Sequence, residues 1–226
     1  GMSLVTTTAH ATITASVGGV PSGGTVYETF NSVPLGSGTF TTPSGITVSF
    51  GGDAQAVTGA SGGLYAPPFL SGGNGSNFGG QPNWPDTTTY LSSGSTGSYS
   101  NSGVTLSFAG PTNYLGLLWG SVDAYNTLTF YNGTTEVGMF TGSDVTSLAN
   151  GDQGAQGTYF VNINLSDSFT SVVGTSSQYA FEFDDVAIDA ISADPLKVPE
   201  PGTAGVFLLG LLLLGSACWL KGRQLS

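Results

Sequence analysis

The chain has 226 residues and a formal net charge of −11, and its three Lys and Arg side chains all lie at Lys197 or beyond. Residues 1–196 therefore lack the cations with which proteins contact the phosphates of nucleic acid or of anionic lipid, and no nucleic-acid partner is expected. A hydrophobic content of 39% argues against disorder over most of the chain. The single cysteine, Cys218, provides neither a disulfide nor a zinc site.

The first twenty residues contain no basic residue and no apolar run of useful length, so they do not form a secretory signal. We expect residues 1–20 to be an N-terminal tail whose signal peptide is absent or truncated. The small-x-small pattern at residues 9–11 is typical of a cleavage site and favours truncation.

The body of the chain, residues 21–194, has the period-two alternation of half-buried β-strands. The clearest alternation is at residues 46–50, 104–108 and 159–165. Asn132-Gly133 between two such runs predicts a hairpin with a type I′ turn. The continuous apolar run at residues 114–119 predicts a central strand that is buried on both faces. Because Gly-rich turns separate the strands, the pattern predicts an all-β fold, an antiparallel two-sheet sandwich of jelly-roll type.

The C-terminal segment differs from the body in having three consecutive parts. A proline-rich linker at residues 195–201 precedes an apolar run at 202–220 and a short basic end at 221–226. At about 1.5 Å per residue, a helix over the apolar run spans a hydrocarbon layer of about 30 Å. Lys221 and Arg223 then predict a cytoplasmic C-terminus by the positive-inside rule, and a body on the opposite side of the membrane.

The order of these parts resembles the PEP-CTERM sorting signal of bacterial surface proteins. The resemblance rests on Val198, Pro199, Glu200 and Pro201, followed by the apolar run and the basic end. It implies export to the cell envelope or the extracellular space, and an exosortase-type membrane peptidase as partner. It also implies association with exopolysaccharide or biofilm matrix.

A β-bulge is predicted in the last strand, at Asp184-Asp185. Apolar residues occupy odd positions up to Phe183 and even positions from Val186. A regular pleated strand cannot bury both sets on one face, so one extra residue must be inserted between them. The bulge would redirect the two carboxylates.

A closing strand of this type resembles that of carbohydrate-binding jelly rolls related to galactose-binding domains. The resemblance implies a structural Ca²⁺ held between the first and last strands, by Glu28 or Asn31 together with Asp184 and Asp185. Carboxylate and amide oxygens are the ligands that Ca²⁺ prefers. The alternative is that the two aspartates form a solvated strand end.

Two further groups are candidates for ligand binding. Tyr65, Trp84 and Tyr90, with Phe69, lie near the Gly- and Ser-rich loops, where aromatic rings either stack on sugars or pin the loops to the sandwich. The segment Gly120–Asn126 contains Asp123 and Asn126 and resembles a turn of other PEP-CTERM ectodomains. These two side chains either close the turn onto backbone N–H groups or form the edge of a binding site.

No catalytic motif is convincing. Residues 59–63 have the spacing of a nucleophile elbow, but the strand-to-helix context is missing and His10 is the only histidine. A carboxylate pair such as Asp123 with Glu182 could still hydrolyse a glycosidic bond. The sequence thus predicts an exported, membrane-sorted surface protein, not an enzyme, whose sandwich binds glycans or is structural in the extracellular matrix. The alternatives are a carboxylate-dependent glycan-active enzyme and a purely structural envelope protein.

Overall fold

The computed structural model describes residues 10–18, 25–71, 83–94 and 102–189. The chain consists of two compact units, Gly1–Ile191 and Ser192–Ser226, and the fold described below is that of the first unit. The linker, apolar run and basic end predicted at 195–226 lie outside the described residues. Within the described ranges, no helix has the length and apolar character needed to cross a bilayer.

The described residues form thirteen strands and one short helix. The strands are β1 (Ile13–Val17), β2 (Thr25–Glu28), β3 (Thr39–Thr41), β4 (Thr47–Gly51), β5 (Gln55–Val57), β6 (Phe69–Leu70), β7 (Trp84–Pro85), β8 (Tyr90–Ser93), β9 (Gly103–Gly120), β10 (Asn126–Asn132), β11 (Thr135–Thr141), β12 (Tyr159–Ser176) and β13 (Phe181–Asp189). The helix α1 is Gly142–Val145. All pairings between these strands are antiparallel, which confirms the predicted all-β class.

Two strands of 18 residues, β9 and β12, organise the sheet. They pair with each other along two stretches that register shifts separate between Asn164 and Ser171. In one stretch, β9 pairs with β4, which in turn pairs with β3, and β12 pairs with β10, which in turn pairs with β11. We call this part of the sheet the first layer. In the other stretch, β12 pairs with β1 and β9 pairs with β13, and β13 also pairs with β2 and with β8. We call this part of the sheet the second layer.

The apolar core lies between the two layers. Trp119 of the second layer lies with its ring centroid 4.5 Å from that of Phe181 and 6.4 Å from that of Phe140, on β11 of the first layer. In the first layer, Phe169 contacts both Phe108 and Phe130. The fold is therefore sandwich-like, as predicted. The two layers are continuous through β9 and β12, however, and form one 11-stranded sheet in place of two separate sheets.

The second layer is covered on its outer face as well. Residues 58–71 together with 83–89, here called the cover segment, contain the two-stranded sheet of β6 and β7. Leu70 of this segment packs with Tyr114 and Leu118, while Leu115 and Leu117 face the core between the layers. The prediction of a central strand buried on both faces at residues 114–119 is confirmed.

The predicted hairpin at Asn132-Gly133 is present, but its turn lies one residue later. Asn132 pairs with Thr135, so Gly133 and Thr134 form the connection, and Gly133 has a φ of +61°. A register shift between Phe130 and Tyr131 places one extra residue in β11 and accounts for the displacement.

The N-terminal tail predicted at residues 1–20 needs a correction. Ile13–Val17 forms β1, an edge strand that pairs with β12 from Val161 to Leu165. Four of its five residues are exposed, so its pairing depends on backbone hydrogen bonds. A strand that buries so little apolar surface has only a weak alternation signal in the sequence.

Candidate functional site

Strand β13 presents two chemically different faces. Phe181 and Phe183 point into the core between the layers. Because side chains alternate along a strand, Glu182 and Asp184 point to the outer face, beneath the cover segment. Both carboxylates are buried, at 2% and 0% exposure.

The predicted bulge at Asp184-Asp185 is confirmed. Asp184 is opposite Leu118 and Ala187 is opposite Gly116, so three steps along β13 match two along β9. Asp185 takes a left-handed conformation with a φ of +48°. After the bulge, Val186 and Ile188 return to the core, as the change of parity in the sequence requires.

A polar pocket of about 200 Å³ opens beside Glu182. We define it by the side chains of Tyr65, Ser121, Asp123, Tyr125, Tyr179 and Glu182, with Asn150, Gly151 and Gln153 at its margin. These residues come from the cover segment, from the turn after β9, from the segment before β12 and from the start of β13. The fold thus brings together two carboxylates and three tyrosines from three separate parts of the sequence.

Glu182 is held at one oxygen and unpartnered at the other. Its Oε1 accepts a hydrogen bond of 2.9 Å from the backbone N–H of Ala66, while Oε2 has no donor among the described residues. Burial raises the pKa of Glu182 from its ordinary value of 4.5 to about 8; the Ala66 N–H offsets part of this rise, and the nearby charge of Asp123 adds to it. Glu182 is thus mostly protonated at neutral pH.

Asp123 also lines the polar pocket. Its Oδ2 accepts a hydrogen bond of 2.7 Å from the hydroxyl of Tyr125, which also lies 2.6 Å from the carbonyl oxygen of Tyr179. Burial raises the pKa of Asp123, and the Tyr125 hydroxyl opposes the rise. A Cβ at Gly151 would lie 2.8 Å from both carboxylate oxygens, so the close approach of the backbone requires glycine here.

Ser121, at the base of the same turn, combines two unusual features. It has a φ of +44°, a left-handed conformation that is strained for any residue with a Cβ. Its hydroxyl is buried and has no hydrogen-bond partner within the described ranges. Backbone strain and unsatisfied buried polar atoms are both more frequent at binding sites than elsewhere in a fold.

A wider groove of about 540 Å³ adjoins the polar pocket, and Gln153 lines both. We call it the apolar groove; Pro67, Trp84 and Pro85 form much of its wall, with Thr58, Thr87 and Asp86 as polar groups. Trp84 is 63% exposed, so most of its indole surface is available to a ligand. The pocket and the groove together offer a polar end and an aromatic end.

An acid cluster formed by Asp86, Asp184 and Asp185 lies beneath the cover segment. Asp86 is buried and accepts hydrogen bonds from the N–H and the hydroxyl of Thr88. Both oxygens of Asp184 are buried and receive no hydrogen bond of ordinary geometry from the described residues, although the backbone N–H of Asp185 lies close enough to lower its pKa slightly against the larger effect of burial. Two ionised carboxylates have no donor between them, so Asp184 and Asp86 can hydrogen-bond only when one carries a proton.

The electrostatics of this cluster favour protonation. Burial, followed by the charges of Asp185 and Asp86, raises the pKa of Asp184 well above its ordinary range. Burial and the charge of Asp86 raise the pKa of Asp185 to about 7. Since residues 11–196 contain no cationic side chain, a proton compensates the buried charge at lowest cost.

The fold brings β2 against β13, with Glu28 opposite Val186 and therefore next to Asp185, but the predicted calcium ligands are not grouped as a metal site among the described residues. Both oxygens of Glu28 are already bonded, to the N–H of Phe30 at 2.8 Å and to the hydroxyl of Ser44 at 2.6 Å. Asn31 is exposed and its amide donates to Thr29. In the part of the chain that the structure describes, no three Asp, Glu, His or Cys side chains are grouped to hold a metal ion. This geometry does not fit the six to eight oxygen ligands of Ca²⁺.

The predicted ligand-binding residues are distributed between the site and the core. Tyr65 and Asp123 line the polar pocket, and Trp84 lines the apolar groove. Tyr90 is fully buried and donates a hydrogen bond of 2.5 Å to the carbonyl of Gly59, which anchors the cover segment. Asn126 is also fully buried; its side chain donates to the Ala180 carbonyl and accepts from the Ser176 hydroxyl, and so links the start of β10 to the end of β12 and the start of β13. The turn itself is closed by the backbone N–H of Asn126, which donates to the carbonyl of Asp123.

Sequence reasoning did not select Tyr125, Tyr179 or Asp86 as site residues. Tyr125 lies within the turn that contains Asp123, and Asp86 follows the exposed Trp84 by two residues. Proximity to predicted residues was therefore the only available signal. Tyr179 precedes the candidate carboxylate Glu182 by three residues and reaches the pocket from the connection between β12 and β13.

Comparison with known proteins identifies one segment of the chain. Residues 197–224 match the PEP-CTERM protein-sorting motif, which includes the predicted signal residues Val198 to Pro201, Lys221 and Arg223. No curated protein matches the chain. The motif marks an exported surface protein that is sorted at the membrane and processed by an exosortase.

Proposed function

We propose that this exported surface protein binds a polysaccharide, without catalysis, along the polar pocket and the apolar groove. The observation that carries the proposal is the exposed indole of Trp84 beside a pocket rich in hydrogen-bonding groups. A purely structural envelope protein would need neither feature.

The chemistry of the two regions complements that of a sugar chain. The flat apolar face of a pyranose packs on an aromatic ring, and its hydroxyl groups donate to carboxylates and carbonyls. Trp84 provides the ring, and Asp123 with Glu182 provides the acceptors. A chain of several sugar units could occupy both regions at once, since Gln153 lines both.

The charge of the site limits the kind of polysaccharide. Asp86, Asp123 and Glu182 line the two regions, and residues 1–196 contain no Lys or Arg to compensate them. Uronic-acid or sulfated chains would be repelled by these groups and by the net charge of −11. The proposal therefore concerns neutral or amino-bearing polysaccharides.

A polysaccharide pull-down tests the proposal. Full-length protein is incubated with a panel of insoluble neutral, amino-bearing and acidic polysaccharides, and the bound fraction is measured. We expect retention on the first two classes and at least about a tenfold loss of affinity in Trp84→Ala, since removing one aromatic contact costs about 1.4 kcal/mol or more. The control Met139→Ala removes another exposed apolar side chain, on β11 in the first layer, and should bind normally. Equal binding of both variants would refute the aromatic contact.

A carboxylate-dependent glycan-active enzyme is the second candidate, because Asp123 and Glu182 line one pocket. Glu182 has the raised pKa of a general acid, and Asp123 would serve as base or nucleophile. Its test is the release of new reducing ends from the bound polysaccharides. Release that is abolished in Glu182→Gln would establish this alternative, and intact polysaccharide after prolonged incubation would exclude it.

A further inference from the structure

We infer that the polar pocket binds a protonated primary amine, the group that a de-N-acetylated amino sugar presents within a polysaccharide. The inference rests on the proposed function and deepens it by naming the sugar class. It concerns the same pocket but depends on different side chains, since Trp84 lies in the apolar groove.

The pocket is lined by oxygen atoms that can accept hydrogen bonds and that are not satisfied within the described residues. Oε2 of Glu182 and the hydroxyl oxygen of Ser121 are buried and have no partner within the described ranges. Asp123 supplies a further carboxylate, which Tyr125 engages at one oxygen. An ammonium group has three N–H donors and no acceptor, so it matches these three residues with one donor each.

The negative charge of the pocket also favours a cationic ligand. Two buried carboxylates face a volume of about 200 Å³, and the first 196 residues offer no Lys or Arg to neutralise them. An ionised carboxylate in such a place is costly unless it is paired with a cation or carries a proton. An ammonium ion would provide the pairing, and the raised pKa of Glu182 indicates that a proton takes its place in the free protein.

The surroundings of the pocket favour a cationic ligand over a neutral hydroxyl. Tyr65, Tyr125 and Tyr179 line it, and the negative face of an aromatic ring attracts a cation more strongly when the cation is desolvated. A lysine side chain offers the same ammonium group. The amino sugar is favoured because the adjoining groove exposes Trp84, a surface suited to the next sugar ring of the same chain.

Calorimetric titration with matched oligosaccharides tests the inference. Full-length protein is titrated with a glucosamine oligomer, with the N-acetylglucosamine oligomer of equal length and with a lysine-bearing peptide, at about pH 6, where sugar amines are protonated. We expect the glucosamine oligomer to bind at least about tenfold more tightly than the other two. Glu182→Gln and Asp123→Asn should remove this preference and leave the N-acetylated oligomer unaffected. Asp167→Asn, an exposed carboxylate outside the pocket, is the matched control for charge.

A second measurement keeps the test valid if the pocket variants unfold. Because Glu182 carries a proton at about pH 6, binding of an ammonium group beside it should release close to one proton. Titration of the wild-type protein in buffers of different ionisation enthalpy measures that release. Binding without proton release would overturn the inference.

The remaining outcomes separate the inference from the proposed function. Equal affinity for both oligomers, with Trp84→Ala weakening both, would refute amine recognition and leave glycan binding intact. Tighter binding of the lysine peptide than of the glucosamine oligomer would refute the amino sugar as the source. No binding of either oligomer, nor of the polysaccharides above, would overturn the inference and the proposed function together.

Discussion

The two faces of β13 differ in how completely their groups are satisfied. On the inner face, Phe183 contacts Phe30 and Phe181, with ring centroids 6.5 and 5.1 Å away. The unpartnered polar atom near this face is the indole nitrogen of Trp119 on β9, a neutral group. On the outer face, Glu182 and Asp184 retain three buried oxygens without donors in the described part of the chain. Both faces belong to the same nine residues and are excluded from solvent to the same degree.

The difference indicates that the inner side of this strand contributes mainly to stability, whereas the outer side carries the unsatisfied polar groups on which the proposed function rests. A fold optimised for stability alone would place apolar side chains on both faces, because an unsatisfied buried polar group costs about 1–3 kcal/mol. The outer face keeps such groups where the pocket and the acid cluster lie, at the expense of stability. The predictions below test this contrast, beginning with the largest effect.

Removal of an inner-face ring should destabilise the protein strongly. In Phe183→Ala the cavity left between the layers has no side chain to fill it, and we expect the free energy of unfolding to fall by about 3–5 kcal/mol. Urea denaturation monitored by tryptophan fluorescence measures the loss. A loss below about 1 kcal/mol would show that the inner face is not the source of stability.

Neutralisation of an outer-face carboxylate should have the opposite sign. Asp184→Asn keeps the shape of the side chain but removes a carboxyl that the folded state must either protonate or bury as a charge, while the unfolded state ionises it freely at this pH. We therefore expect the free energy of unfolding at about pH 8 to rise by about 1–3 kcal/mol. The matched control is Asp167→Asn, an exposed carboxylate whose removal should change stability by less than about 0.5 kcal/mol. Destabilisation in Asp184→Asn would mean that the carboxylate has a favourable native partner.

The pH dependence of stability should also be reversed relative to that of most proteins. The pKa values of Glu182 and Asp185 rise on folding, from 4.5 and 3.8 to about 8 and about 7, so the folded state binds more protons than the unfolded state between these values. Their stabilising contribution is complete below the unfolded values and is lost as the pH rises through the folded values. We therefore expect Tm to fall by several degrees between about pH 5 and pH 9. A Tm that rises over this interval would contradict the assignment of buried, protonated carboxylates.

Removal of divalent cations should have the smallest effect. Since Glu28 is bonded at both oxygens and Asn31 is exposed, we expect excess EDTA to leave Tm unchanged. Any ion bound to the native state alone would stabilise it by linkage, so a lower Tm in EDTA that added Ca²⁺ restores would re-establish the calcium hypothesis. MgCl₂ in place of CaCl₂ is the control for ionic strength.

The sequence predicted those features that depend on local alternation. The change of parity between Phe183 and Val186 located the bulge, and the apolar run at 114–119 located the central strand. It did not predict the site, because Glu182 and Asp123 meet only when the cover segment and the turn after β9 are placed against the same sheet. Sugar-stacking and anchoring aromatics were likewise indistinguishable: Tyr90 is buried and Trp84 exposed, although each lies in the same loop-rich stretch.

The pairing of β13 has a mechanical consequence for a protein that is sorted through its C-terminal segment. The described fold ends at Asp189, where β13 pairs with Thr25 of β2, and further back the same strand pairs with β9 and β8. A pulling force applied beyond the last strand would enter the fold through a strand that is held by three neighbours. Detaching it would require many hydrogen bonds and the aromatic packing of Phe181 and Phe183 to fail together. The strand that carries the buried carboxylates Glu182 and Asp184 is therefore also the one that would resist such a force.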